Sequence, residues 1–277
     1  MDFNFKNGVD RKMNEATSVE TVDGEVTALA RGLAVLRWVA ASESALTLKE
    51  VSEGTSIPKP TALRLISTLL TSGLLRRVPG SERYALGPGV MALSHSYLGR
   101  LDIRAEARPH MREFAEESGV TAHLGTRDQL DMVLLETVRP VSAALVMRIG
   151  VGDRLGLATS ASGRAYLAAL TDDEREPLIQ MLRVQFAQQW PAMALPLQQA
   201  ITQYQTLGYV SSLGDWHEDV NAIAVPLVMP NGEIYSVNCG GPAFKLGPEI
   251  LAREVAPSLL RCVRAIQEAT GATLPGA

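Results

Sequence analysis

Cysteine is almost missing from this chain, and the shortage removes several possibilities at once. Cys239 and Cys262 are the only two among 277 residues. They cannot build a disulfide framework, and no CxxC pair offers a metal site. No run of eighteen or more apolar residues exists, so no membrane span is expected. The opening stretch, MDFNFKNGVDRKMNEATSVETVDGE, lacks both an apolar signal core and a small-residue cleavage site. A cytoplasmic protein is the expectation. Internal repeats and low-complexity tracts are missing too. The most informative absence is local: no aspartate or glutamate occurs between Gly54 and Pro79.

What is present suits a large soluble interior. Hydrophobic residues make up 46% and charged residues 20%, and the length favours two domains over one. The net charge of −4 is unevenly spread. Residues 24–101 hold 9 Lys and Arg against 5 Asp and Glu, whereas residues 102–277 hold 14 against 20. A small basic domain joined to a larger acidic one fits a polyanion binder that carries a separate body.

Periodicity divides the chain further. Residues 1–23 are polar and aperiodic and read as a tail. From about residue 27, Leu29, Leu33, Leu36 and Ala40 mark a helical stripe. Thr47 and Glu50 stand at capping-box spacing and predict a short helix ending near Gly54. A third helix is predicted over 58–72, followed by two short β-like runs, LLRRV and RYALG, around Pro79-Gly80-Ser81. Three helices and a hairpin make a winged helix-turn-helix. After a connecting helix near 88–101 and another over 103–118, the texture turns to strands at VTAHLGT, MVLLETV and AALVMRI. Helices are predicted from Ala161, after Thr171, from Pro196 to Leu207, and from about Pro248 to Thr270. Three strands, YVSSL, AIAVPLVM and EIYSVNC, precede the last helix. Helices segregated around a mostly antiparallel sheet make the larger domain α+β.

The third helix carries the chemistry of the basic domain. Ala62, Leu65, Ile66, Leu69 and Gly73 share one face, which is the face to bury. Pro60, Arg64, Ser67, Thr68 and Thr71 lie opposite. Short hydroxyls donate to phosphates or base edges, and arginine grips guanine O6 and N7 with two hydrogen bonds. Pro58 and Pro60 fall in the approach and first turn, where the N–H groups have no intrahelical acceptor. That helix end also suits a phosphate beside Lys59. Arg64 is therefore the candidate for base readout, with Thr61, Ser67 and Thr68 beside it. Lys59, Arg76, Arg77 and Arg83 are the candidates for phosphate contacts. A winged helix used only for protein contacts remains an alternative.

Other constellations are weak. Ser160 and Ser162 in TSASG lack the leading glycine of a nucleophile elbow and an assignable His–Asp pair. Trp216-His217-Glu218-Asp219 with Cys239 could form a metal or effector site, but it has no fixed metal-ligand spacing and reads rather as a solvated loop. His123, mid-strand, reads as a hydrogen-bonded core histidine. No metal, cofactor or catalytic residue is expected, although a small-molecule enzyme with a regulatory head stays as a rival.

Several collinear segments resemble one family. ALARGLAVL (28–36), LTLKEVSEGTSIPKPTALRLISTLLTSGLLRR (46–77), RYALGPGVMAL (83–93), LDIRAEARPHMREFAEESGVTAHL (101–124), RIGVGDRLGLATSASGRAYLA (148–168) and GGPAFKLGPE (240–249) are similar to the isocitrate lyase regulator (IclR) family of bacterial transcription factors. The resemblance implies a winged helix-turn-helix over 24–87, a dimerising linker helix over 88–102, and a GAF-like effector domain over 103–277. It implies double-stranded operator DNA and a small organic acid or aromatic effector as partners, a homodimer or tetramer, and no membrane. Carried over by position, the effector pocket falls on Met147, Leu157, Ser160, Ala161, Val220, Ala222, Asn238 and Gly240. The chain departs from the family pattern at Pro60, where serine is usual, at Leu63, often histidine, and at Ser56, usually glycine.

Overall fold

A computed structural model describes residues 26–141 and 149–275. The tail expected over 1–23 and the predicted strand AALVMRI fall wholly or largely outside these residues. The chain divides into two compact units, with the boundary along the chain between Arg100 and Leu101.

The smaller unit begins with α1 (Thr27–Ala41), β1 (Leu46–Thr47) and α2 (Leu48–Thr55). The Thr47–Glu50 capping box is formed: the Glu50 carboxylate accepts from the Thr47 N–H at 2.6 Å, and Thr47 accepts from the Glu50 N–H. Two orphan donors of the helix start are satisfied in this way. Ser56 ends α2 with φ of 56°, in the left-handed region that makes glycine the ordinary choice there. Helix α3 (Lys59–Thr71) follows after Pro58, and the Ala62 N–H takes the Pro58 carbonyl at 2.9 Å. Both prolines thus lie where no helical hydrogen bond is forfeited.

The wing consists of β2 (Leu75–Arg77) and β3 (Arg83–Leu86). The two-residue β1 completes a three-stranded sheet in the order β1-β3-β2. Val35, Val39, Val51, Ile57, Ala62, Ile66, Leu69, Leu75 and Tyr84 form its core. Helix α4 (Gly89–Leu98) closes the unit and has no fully buried residue.

The larger unit is built on six antiparallel strands in the order β6-β5-β4-β9-β8-β7. These are β4 (Ala122–Asp128), β5 (Asp131–Val138), β6 (Arg154–Gly156), β7 (Val210–Leu213), β8 (Val220–Val228) and β9 (Ile234–Pro242). Around them stand α5 (Asp102–Ser118), α6 (Ala161–Ala169), α7 (Asp172–Gln185), α8 (Trp190–Leu207), α9 (Pro248–Ile250) and α10 (Ala256–Thr270). Side chains on a strand alternate between faces. Even-numbered positions of β8 and β9 meet α6: Ala224 packs with Ala161 and Ala165, and Ser236 hydrogen-bonds Ser162. Odd-numbered Val225, Val237 and Cys239 are fully buried, and Cys239 lies near Cys262 of α10. Both faces are covered, so β8 reads as a nearly continuous apolar run.

Three expectations need correction. Pro196 does not open the helix before Leu207: α8 starts at Trp190 with Pro191 in its first turn, and Pro196 lies inside it. The last helix is interrupted by a π turn at Leu251–Val255. Pro257 follows after Ala256, and its missing N–H removes a regular helical hydrogen bond at that point. Strands β1 and β6, of two and three residues, went unpredicted because so short a run shows no period.

Candidate functional site

Two regions concentrate chemistry, one in each unit. In the smaller unit, the outward face of α3 presents Pro60, Leu63, Arg64, Ser67, Thr68 and Thr71, all exposed, while Thr61 is half-buried. Lys59 stands at the helix start. Thr68 donates its hydroxyl to the Arg64 carbonyl at 3.2 Å and Thr71 to the Ser67 carbonyl at 3.0 Å. Each therefore offers a lone pair before a proton, and Ser67 is the readier donor.

The wing arginines are not equivalent. Arg83 gives one guanidinium nitrogen to the Ala45 carbonyl at 2.7 Å and to Glu50 at 3.2 Å. It fastens β3 to the α2 capping box while 43% of its side chain stays exposed. Arg77 lies over the Tyr84 ring at 5.6 Å and pairs with Glu82 at 3.6 Å. Lys59, Arg64 and Arg76 have no acidic partner among the described residues. They carry the unneutralised charge of this surface.

In the larger unit a cavity with about 420 Å³ of empty space, partly open to solvent, lies between α6 and the sheet. The even-numbered face of the sheet supplies Val220 and Ala222 from β8 and Asn238 and Gly240 from β9. His123 of β4 pairs across the sheet with Asn238. Ser160, Ala161 and Ser162 at the start of α6 form the roof, and Ile149, Leu155, Ser212 and Trp216 close the sides. Six expected residues thus meet at one cavity: Ser160, Ala161, Val220, Ala222, Asn238 and Gly240. Leu157 does not; it is fully buried in the neighbouring apolar core. Met147 lies outside the described residues.

No lining side chain carries a formal charge at neutral pH. His123 Nδ1 and Thr137 Oγ1 are hydrogen-bonded at 3.0 Å. Burial, reinforced by the Arg139 guanidinium, pushes the imidazole down to about 4. The hydroxyls are committed: Ser160 donates to the Gly156 carbonyl, Ser162 pairs with Ser236, and Ser212 donates to the Thr159 carbonyl. This leaves Ser160 and Ser162 no base to act with, in contrast to a nucleophile elbow.

Two sets of groups stay unspent. Ser160 caps α6 by accepting from the Gly163 N–H at 3.1 Å. Ala161 and Ser162, in the first turn of that helix, have N–H groups with no acceptor in the helix itself. Across the cavity, the Asn238 carboxamide is 5% exposed and its Oδ1 has no hydrogen-bond partner. A buried, unsatisfied amide oxygen costs on the order of 1–3 kcal/mol. Acceptor-seeking donors on one wall and a donor-seeking acceptor on the other fit a small polar molecule with an apolar body.

Sequence reasoning missed His123, Ser212 and Trp216 as lining residues. Trp216 belonged to a segment read as a solvated loop, and His123 to a strand read as core. Its pairing with Asn238 across the sheet was the available signal. Cys239 faces the opposite side, away from Trp216-His217. Burial pushes its thiol well up, and pushes Cys262 up to about 12, so neither is a ready thiolate. Among the described residues there is no cluster of three metal-ligating side chains and no helix long and apolar enough to cross a membrane.

Comparison with known proteins is consistent across the chain. Residues 28–79 match the IclR helix-turn-helix domain, and residues 95–268 match the bacterial transcriptional regulator IclR C-terminal family. The HTH-type transcriptional regulator TsaQ1/TsaQ2 of Comamonas testosteroni is 34% identical over 269 residues, covering 94% of this chain and 96% of that one. The crystal structure of an IclR family transcriptional regulator from Brucella abortus superposes with a TM-score of 0.81 at 38% identity, covering 92% of this chain and 97% of the other. An IclR homolog from Microbacterium hydrocarbonoxydans, crystallised with 4-hydroxybenzoate, shares the fold at a TM-score of 0.67 and 22% identity, over 87% and 98% of the two chains.

Proposed function

The chain belongs to the IclR family of bacterial transcriptional regulators, and from that premise we propose that it is a ligand-responsive regulator of organic-acid or aromatic catabolism. In this reading two winged helices of a homodimer or tetramer enter successive major grooves of a roughly palindromic operator. Arg64 reads a base edge, with Thr61, Ser67 and Thr68 beside it. Lys59, Arg76 and Arg77 hold phosphates. Arg83 contributes by fixing the wing to α2. The observation that carries the DNA reading is the acid-free face of α3, on which Lys59 and Arg64 stand unneutralised beside exposed hydroxyls.

Operator duplexes selected from random sequence give the test. Arg64→Ala is expected to relax preference at one base pair per half-site, costing on the order of 1–3 kcal/mol there. Arg76→Ala is expected to weaken binding evenly across sequences and to flatten the plot of log K against log salt by about one contact's worth per protomer. Unchanged affinity and selectivity in the Arg64 variant would remove it from base readout.

The larger unit then serves as the sensor. The unspent N–H groups at the start of α6 support a carboxylate, since a helix N-terminus favours an anion. The Asn238 carboxamide supports a hydroxyl on the far end of the ligand. Apolar walls at Leu155, Trp216, Val220 and Ala222 support an aromatic or branched body between them. The relative crystallised with 4-hydroxybenzoate makes that compound a sensible first probe. Asn238→Leu is expected to leave the thermal midpoint of the free protein unchanged or higher, because an unpaired amide is removed. It is expected to weaken a bound hydroxy acid by roughly tenfold while leaving benzoate little affected. Calorimetric titration of both compounds against both proteins measures this. Binding of the effector favours one arrangement of the DNA-binding heads over another, which requires different affinities for the two.

A further inference from the structure

Arg164 is a buried charge on α6, the helix that roofs the cavity. It lies in the second turn of α6 with 2% of its surface exposed. Its guanidinium reaches three separate segments. Nε donates to the Ala158 carbonyl at 3.1 Å, and one terminal nitrogen donates to the Ser211 carbonyl at 2.9 Å and to Asp215 Oδ2 at 2.8 Å. Those acceptors belong to the turn before α6, to β7, and to the segment joining β7 to β8.

All three segments border the cavity. Ala158 precedes Ser160 and Ala161 of the roof. Ser211 precedes Ser212, whose hydroxyl ties β7 to the Thr159 carbonyl at 2.7 Å. Asp215 precedes Trp216, the largest side chain in the lining. Asp215 also accepts from the Leu213 N–H at 3.2 Å, and the segment is closed by bonds from Gly214 N–H to the Val220 carbonyl and from Val220 N–H to the His217 carbonyl. Through the Asp215 carboxylate, Arg164 thus ties α6 to the loop that carries the indole.

Burying a guanidinium is costly, and a buried ion pair is weak evidence of stability for its own sake. The second terminal nitrogen of Arg164 has no hydrogen-bond partner at all, so the site is not optimised as a structural bridge. We infer that Arg164 is a positioning residue for the cavity: through Asp215 it holds the Trp216 indole in place as a wall, and so sets the shape that a ligand meets. This rests on reading the cavity as the effector site, but only for its consequence in binding. The placement of Trp216 stands or falls separately.

The full-length protein labelled with 5-fluorotryptophan tests it, with the three indoles assigned by Trp38→Phe, Trp190→Phe and Trp216→Phe. In Arg164→Lys, one ammonium cannot serve all three acceptors. The Trp216 fluorine resonance is expected to shift and broaden while Trp38, in the other unit, stays in place. Asp215→Asn repeats the test with a partly exposed residue, in case the arginine variant fails to fold. Titration with 4-hydroxybenzoate is expected to show roughly tenfold weaker binding in both variants, the equivalent of one charge-assisted hydrogen bond. A Trp216 resonance unmoved in Asp215→Asn, or in a folded Arg164→Lys, would overturn the assignment even if the midpoint fell. If the wild-type protein fails to bind the probe, the effector reading loses this ligand, and the Trp216 resonance in the ligand-free variants still decides the role of Arg164.

Discussion

Gly163→Ala is expected to destabilise the larger unit by about 3 kcal/mol or more, with the opposite sign to helix propensity. On propensity alone, replacing a helical glycine by alanine gains up to about 1 kcal/mol. Here an added Cβ would lie 2.2 Å from the Leu157 carbonyl oxygen and 2.5 Å from the Leu157 Cα. Both are backbone atoms, so no rotamer change relieves the clash. The turn before α6 has to move, and with it Ala158 and the cap at Ser160. Overpacking against rigid neighbours costs about 1–3 kcal/mol in ordinary cores and more where backbone must shift. For a unit of this size that corresponds to a fall in midpoint of roughly 6–12 °C. Gly247→Ala is the control: an added Cβ there meets nothing, and its φ of −63° suits any residue. A scanning calorimetry trace with the larger unit's transition unmoved in Gly163→Ala would show that α6 sits further from the turn than described.

That close approach also marks the boundary of what sequence could reveal. Elements with a local cause were legible. The capping box at Thr47–Glu50 formed where the spacing placed it, because its hydrogen bonds join residues three apart. The buried stripe of α3 followed from its period, and the start of α3 from the positions of two prolines. Elements whose cause is distant were not legible. Strand β6 exists because β5 offers it a ladder from Met132 to Leu155, not because three residues prefer to be extended. The cavity shows the same division. Asn238, Gly240, Val220 and Ala222 were found through resemblance, and strand alternation then explains why they share a face. His123 comes from one part of the chain and Ser212 and Trp216 from another, around the end of β7, and only the folded sheet brings them together. The Arg83–Glu50 pair was not legible for a related reason: the two residues lie 33 positions apart, in different elements.

The second large effect is expected in acid. His123 is 4% exposed and its imidazole is held down to about 4, against an ordinary value near 6.5. Burial is the larger cause, and Arg139 the second. Arg139 is itself tied to the cavity wall by donating to the Ile149 carbonyl at 2.6 Å. The folded form therefore refuses a proton that the unfolded chain accepts. Above pH 6.5 both states hold a neutral imidazole and nothing is lost. Between about pH 6.5 and 4 the unfolded state binds more protons, so stability falls as pH falls, and below about 4 the loss levels off. The interval of about 2.5 pH units corresponds to ~3 kcal/mol. His123→Gln keeps a hydrogen-bonding partner for Thr137 without a titrating group. Denaturant unfolding at pH 7 and pH 4.5 is expected to show wild type losing more stability than this variant by most of that amount. Equal losses would mean that the cavity accommodates an imidazolium. The same linkage reaches the ligand. A carboxylate bound beside His123 favours the charged ring, so binding of an acid that lies near it should take up a proton and tighten as pH drops from 7 toward 5.5. An acid held only at the start of α6 should show no such uptake, which makes the proton balance of binding a measure of how deep in the cavity the carboxylate sits.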